Sequence, residues 1–331
     1  MVHEIDRREV RALPVTAEMT WADRWDHVLA RWGVKRNEHR VTPGLYALRN
    51  PGPDAPVFVT ANYTLSFDAL RTSLAGVDAH ILVLDTDGIN VWCAAGKGTF
   101  GTDELVRRIE STGLADVVAH RTLILPQLGA PGIAAHEVQH RTSFRVEYGP
   151  VRAADLSEYL EEGRATEEMR RVRFTLRDRL VLVPIEFVHM LWVMAVVGAG
   201  LYFLGGPWSA GAGVAAIFAG SVLFPILLPW IPTRDFSSKG FVLGALVTAP
   251  FALALALQAP APAPLGRVIA AVGLLFLWPP VTAFLTLNFT GATTFTSRTG
   301  VRREMFRYIR LMALSFIVGI VLALIVPLIV R

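Results

Sequence analysis

Cysteine is almost absent: the 331-residue chain holds one, Cys93. A lone thiol excludes any disulfide within the chain, and any zinc or iron–sulfur site built on several cysteines. It suits a reducing compartment, where thiols stay free. Charge is scarce as well, at 18% of residues against about 25% in ordinary soluble domains. The shortage is one-sided. Residues 1–183 hold 23 Lys+Arg, 25 Asp+Glu and seven of the eight histidines, whereas residues 184–331 hold 9 and 3. The net +4 therefore splits into −2 and +6, and the surplus positive charge lies in an apolar half. That pattern excludes a wholly soluble protein, a disordered chain and a basic nucleic-acid binder. The polar start, Met1-Val2-His3-Glu4-Ile5-Asp6-Arg7, lacks the apolar core of a signal peptide, so the first part is expected to stay in the cytosol.

Long apolar runs are confined to the second part. Five follow residue 183, at about 184–204, 211–231, 240–258, 265–288 and 309–330. Each approaches the ~20 residues that cross a ~30 Å hydrocarbon core as a helix. The breaks between them alternate in charge. Gly205–Ala210 and Ala259–Pro264 carry none, whereas Thr233–Lys239 carries Arg234, Asp235 and Lys239. The longest break carries Arg298, Arg302, Arg303 and Arg307, and Arg170, Arg171, Arg173, Arg177 and Arg179 precede the first run. By the positive-inside rule this predicts a multi-pass protein of the cytoplasmic (inner) membrane, N-terminal domain in the cytosol and C-terminus outside. Arg267 is an exception at the outer start of the fourth run. Glu186 and His189 lie within about two turns of the cytosolic end and can reach the interface. No run carries the paired carboxylates of an ion pathway, so anchoring in membrane lipid is the expected role.

In the first part, Val57–Ala61 and Ile81–Asp85 are short β-rich runs, and Arg121–Leu125 and Phe144–Tyr148 are weaker ones. Helical patterns fall between and after them, at Ser66–Leu74, Asp103–Glu110, Gly132–His140 and Asp155–Glu161. This alternation predicts an α/β domain with a parallel sheet, whose ligands bind beyond the carboxyl ends of the strands. The segments expected there are 60–63, 85–88, 126–132 and 149–152, all rich in Gly, Pro and small polar residues. Just beyond one of them, Asn90 is a good helix N-cap that makes Cys93 the third residue of the first turn. The helix dipole, and Lys97 one turn on, both favour the thiolate, which ligates metals or attacks electrophiles. Ala94 and Ala95 are expected to leave the sulfur uncrowded. A buried, inert thiol is the competing expectation.

Two motifs fall away on context. Gly96-Lys97-Gly98-Thr99-Phe100-Gly101 matches G-x-G-x-x-G, but the strand before it is expected to end near Asp85, too far upstream for a dinucleotide fingerprint. Walker A is excluded by Val91 and Gly98, where it needs Gly and Ser or Thr. His136-Glu137-Val138-Gln139-His140 matches H-E-x-x-H, yet no clear third zinc ligand is on offer.

Asn90-Val91-Trp92-Cys93-Ala94-Ala95-Gly96-Lys97 resembles, over all eight residues, the cap-helix signature of the corrinoid proteins of mercury methylation. The resemblance continues through Gly98–Thr102, and Val59–Tyr63 and Pro126–Gly132 support it. It implies a Rossmann-like corrinoid-binding α/β domain followed by a transmembrane domain of five helices. The implied organisation is an N-terminal extension (1–40), a cytosolic corrinoid-binding domain (41–170), a basic linker (171–183) and a transmembrane domain (184–331). The implied cofactor is a cobalamin-type corrinoid with Cys93 as lower axial ligand to cobalt. Thr60, Asn62, Asn90, Val91, Trp92, Ala94, Ala95, Gly96 and Lys97 would complete its site. The implied reaction is methyl transfer from cobalt to Hg(II), which leaves oxidised cobalt and so consumes electrons. With one cysteine, the chain would depend on a ferredoxin-like iron–sulfur protein as donor, and on an upstream methyl donor or methyltransferase. The distantly similar large subunit of the corrinoid iron–sulfur protein carries its own cluster motif, which this chain lacks. A membrane-tethered methyl carrier for a different acceptor, and a non-enzymatic soft-metal or corrinoid sensor or transporter, are the alternatives. Nucleic acid is not an expected partner.

Overall fold

The computed structural model describes residues 12–258, 264–289 and 298–329. The uncharged break expected at Ala259–Pro264 lies almost wholly outside the described residues. Two compact units emerge: the described residues up to Ala30 with Val34–Val172, and Arg31–Gly33 with those from Arg173 onward.

In the first unit the elements run Leu13–Val15 (β1), Trp21–Arg31 (α1), Gly44–Leu48 (β2), Val57–Ala61 (β3), Thr64–Ser73 (α2) and Ala79–Leu84 (β4). Val91–Lys97 (α3), Thr102–Ser111 (α4), Leu114–Val117 (α5), Thr122–Leu125 (β5), Ala135–Thr142 (α6), Arg145–Tyr148 (β6) and Leu156–Glu162 (α7) complete it. The strands form one six-stranded sheet in the order β1-β2-β4-β3-β5-β6. Every residue of β3 and β4 is buried, which is why both read as unbroken apolar runs rather than alternating ones.

The expected all-parallel sheet is corrected to a mixed one. β4, β3, β5 and β6 are parallel, but β2 runs antiparallel to β4, and β1 pairs with β2. Neither extra strand is apolar enough to stand out: Leu13-Pro14-Val15 is largely exposed, and β2 is only partly buried. β1 and α1 fall in the stretch expected as an extension. They are held by Arg71, a buried residue only 5% exposed. It donates to the carbonyls of Thr16 and Glu18, to Asp23 at 2.9 Å and to Asp68 at 2.6 Å.

Strand alternation divides the apolar side chains between two cores. Val57, Val59, Leu82 and Leu84 pack under α3, α4 and α6, while Phe58, Ile81 and Val83 pack against α2 and α7. α2 therefore covers one face, on the way from β3 to β4, and α3–α6 the other, on the way to β5 and β6. The direction of winding reverses between β3 and β5, and a doubly wound sheet opens its ligand crevice at that point.

The second unit is helical: Leu176–Leu180 (α8), Val183–Phe218 (α9), Phe224–Leu227 (α10), Phe236–Leu257 (α11), Pro264–Asn288 (α12) and Arg298–Ile329 (α13). Among the described residues, four helical stretches are long and apolar enough to cross a membrane. The first of them is not straight. Gly206 leaves helical geometry at φ 77°, and Pro207 follows it. A Cβ on Gly198 would lie 2.9 Å from Val214, and one on Gly213 2.6 Å from Leu201. An unbroken helix would hold those pairs about 24 and 18 Å apart, so α9 folds back into two antiparallel arms, with Pro207 pre-set to start the second. The bundle interior is also more polar than the sequence suggests. Ser237, Thr248, Thr282, Thr286, Lys239 and Glu304 are all buried.

Candidate functional site

α3 starts where the chain leaves β4. The intervening turn is fixed by Asn62, whose Oδ1 accepts from the Thr86 amide (3.0 Å), the Thr86 hydroxyl (2.9 Å) and the Gly88 amide (3.0 Å). Its Nδ2 donates to Asp85 at 3.2 Å. Asn62 is thus buried, and its side chain shapes the loop. Asn90 then caps α3 as its residue type predicts, its Oδ1 accepting from the Cys93 amide at 2.9 Å. Gly98 ends the helix in the left-handed region at φ 90°, where glycine is favoured. The G-x-G-x-x-G match is accordingly a helix end and a tight turn: a Cβ on Gly101 would lie 2.5 Å from the Gly98 carbonyl oxygen.

Along α3 the side chains sort by face. Cys93, Trp92, Gly96 and Lys97 are exposed, whereas Val91, Ala94 and Ala95 are buried in the core. The expectation that Ala94 and Ala95 leave space around the sulfur is corrected. Their smallness lets the 3-10 turn Gln127–Gly132 approach the helix from below. At Gly132 a Cβ would lie 2.1 Å from the Phe100 carbonyl oxygen and 3.1 Å from the Ala95 Cα. The sulfur is open because it faces outward. The competing expectation of a buried thiol does not hold, since Cys93 is exposed.

Beside α3 lies a cavity of about 380 Å³ at the β3/β5 crevice. Phe58, Thr60, Ile124 and Leu125 form its floor, α2 and Leu156 wall it, and Asn90, Val91 and Trp92 contribute from the start of α3. The loops after β5 and β6 supply Pro126, Leu128, Pro150 and Val151. Thr60, Ser66, Asn90 and the Trp92 indole carry its polar side-chain groups, and none of its lining residues has a titratable side chain. A concave, mainly apolar lining with a few polar groups is the usual character of a ligand pocket. Thr60, Asn90, Val91 and Trp92 of the expected site line it, while Cys93 and Lys97 lie outside, on the exposed face of α3. The floor and wall residues were invisible in the sequence except as core, because only the chain crossing between β3 and β5 leaves a gap above them.

His136, Glu137 and His140 lie exposed on α6. Among the described residues no group of three or more His, Cys, Asp or Glu side chains could hold a metal ion.

Fold and site together define a mixed-sheet α/β domain with a cavity at its β3/β5 crevice, followed by a part built of apolar helices. Residues 34–160 match the family described as CO dehydrogenase/acetyl-CoA synthase delta subunit. Among curated proteins, the chain is similar to subunit gamma of the acetyl-CoA decarbonylase/synthase complex from Archaeoglobus fulgidus. Identity is 33% over 129 residues, covering 38% of this chain and 27% of that protein. The Methanopyrus kandleri subunit gamma is 33% identical over 129 residues (38% and 28%), and that of Methanocaldococcus jannaschii 31% over 127 (38% and 26%). The chain spans about a quarter of the length of these relatives. The family match runs from before β2 into α7, so it takes in α3 and the cavity and leaves out α8–α13.

Proposed function

We propose that the α/β domain binds a corrinoid through Cys93 and that the protein transfers a methyl group from it to Hg(II), forming methylmercury. The observation that carries the reading is the chain's one thiol, exposed on an N-capped helix beside an uncharged, mainly apolar cavity at the carboxyl edge of the sheet. The residues fit the group. Cys93, with its sulfur exposed and its amide held by Asn90, would hold the cobalt, and the cavity at the β3/β5 crevice would receive part of the bulky ligand beside it. The eight-residue Asn90–Lys97 signature supports the same reading, and the similarity of this region to acetyl-CoA decarbonylase/synthase subunits supports its corrinoid part alone.

When bound, the corrinoid supplies a cobalt-held methyl group that can pass to an electrophilic metal ion, with electrons then needed from a ferredoxin-like partner. The chain's own residues position and shield. Asn90 holds the first turn of α3 so that Cys93 points outward, and Asn62 holds the turn that leads into it. Thr60 and Ser66 offer hydroxyls inside an otherwise apolar cavity, and Trp92, half-exposed, screens its edge from water. Gly96 and Lys97 end the exposed face of α3 with a flat surface and one positive charge.

The membrane reading belongs here too. On this reading the two arms of α9 with α11, α12 and α13 are five crossings, and the basic stretches before α9, before α11 and at the start of α13 favour a cytosolic α/β domain by the positive-inside rule. The second reading keeps the corrinoid and changes the acceptor, making the protein a tethered methyl carrier. The relatives, which are subunits of an acetyl-CoA decarbonylase/synthase complex, favour it.

An anaerobic single turnover separates the two. Purified protein loaded with methylcobalamin is mixed with thiolate-bound Hg(II), and methylmercury is assayed beside Cys93→Ala. Product from the wild type and a strong loss in the variant is the expected result. Corrinoid bound through Cys93 without methylmercury selects the carrier.

A further inference from the structure

α1 turns its apolar face outward. Trp21 is 86% exposed, Trp25 63%, Val28 42% and Trp32, one residue past the helix, 45%. At about 100° per residue these four fall within an arc of about 60°. The opposite face is polar and fastened down. Asp23 accepts from Arg71 at 2.9 Å, Asp26 pairs with His39 at 2.7 Å, and His27 pairs with Asp68 at 2.8 Å. Thr20 and Asp23 cap the first turn reciprocally, at 2.9 and 3.2 Å. An ordinary surface helix does the reverse, packing its apolar stripe and exposing its charges. Here three side-chain pairs hold a tryptophan face toward the outside.

The chemistry of that face narrows its occupant. An indole is an apolar plate with one N–H donor, and such rings concentrate where hydrocarbon meets headgroups. Arg24 and Arg31, seven residues apart, run along one flank of the stripe, where they complement anionic lipid phosphates. The chain also carries helices long and apolar enough to span a membrane, and the proposal rests on that membrane reading. We propose that the Trp21–Trp25–Val28–Trp32 face of α1 lies in the headgroup boundary of an anionic bilayer, as a second, interfacial membrane contact of this protein. The proposal does not depend on the cofactor or the acceptor.

The test uses the full-length protein in lipid nanodiscs. Cys93→Ala removes the only thiol, so Trp21→Cys, Trp25→Cys and, as a control in the exposed loop before β3, Asp54→Cys can each carry an environment-sensitive fluorophore. With phosphatidylglycerol present, the labels at 21 and 25 should shift to the blue and lose about half or more of their emission to doxyl-bearing lipids, while the label at 54 is unaffected. Arg24→Glu with Arg31→Glu should weaken that quenching. If a labelled variant loses the protease resistance of the parent, Val28→Cys takes its place. Labels on α1 that stay as unquenched as the one at 54 overturn the proposal. So does burial that appears only as protein concentration rises, the mark of a second copy, or only when another protein is added.

Discussion

Gly132 shows how closely α3 is supported. A Cβ there would meet two backbone atoms, the Phe100 carbonyl oxygen at 2.1 Å and the Ala95 Cα at 3.1 Å, and neither can swing aside. Gly132→Ala is therefore expected to destabilise the α/β domain by about 1–3 kcal/mol, seen as a lower urea midpoint in pulse proteolysis. Corrinoid affinity should fall with it, because α3 must move. His80 gives a pH dependence. It is 3% exposed in β4, and burial holds its imidazole below the ordinary value near 6.5. A Gly52 backbone contact works against the shift, and nearby His120 adds to it. With the folded value below the unfolded one, the unfolded chain takes up its proton first as pH falls. Stability is thus full above about pH 6.5 and declines below it. Between about pH 7.5 and 5.5 the urea midpoint should drop further for the wild type than for His80→Leu; equal drops would remove His80 as the cause. Some residue roles were legible in advance, Asn90 as a cap above all, since capping depends on the next three residues alone. Asn62 was not. It acts on Thr86 and Gly88, more than 20 positions away, and only the adjacent strands β3 and β4 bring them together.

Among the elements, α11 and α12 pack through small residues. A Cβ on Gly244 would stand 2.7 Å from Pro279 Cα, and one on Gly240 2.5 Å from Ala283 Cα, so the two backbones touch along a Gly-x-x-x-Gly face. Thr286 donates across the same seam to the Phe236 carbonyl at 3.1 Å, and Glu304 of α13 accepts from the Ser237 amide at 3.0 Å, capping α11 from outside its own chain segment. Gly244→Leu should force the helices apart and lower the thermal aggregation temperature in detergent. Gly200→Leu, where a Cβ would meet nothing within 4 Å, should leave it near the parent value. The apolar runs announced these helices by length alone. The reversal inside α9 falls in the uncharged break expected at Gly205–Ala210, where Gly206 leaves helical geometry and Pro207 follows it. β1 and α1 were not legible in this way. Three residues of strand carry no period, and α1 stands in the stretch expected as an N-terminal extension, with its apolar stripe turned outward instead of into a core.

At the scale of the molecule, both cores of the α/β unit draw their members from residues 12–169. A polypeptide of residues 1–172 is expected to unfold cooperatively and to bind corrinoid through Cys93 much as the full chain does. Near-UV circular dichroism and absorbance titration would show it; a collapsed form without near-UV signal would mean that the helical unit completes the fold. By itself, the sequence determined what depends on neighbours along the chain: an α/β part ahead of an apolar part, the capped helix around Cys93, and the buried strands β3 and β4. Those follow from composition, capping and hydrophobic runs, which are local. Only the tertiary structure decided which strands adjoin, that β2 runs antiparallel, that a cavity opens between β3 and β5, and that α1 shows its tryptophans to the outside. Each of these is a pairing between distant segments, chosen by how whole faces bury one another, and no local pattern carries that information.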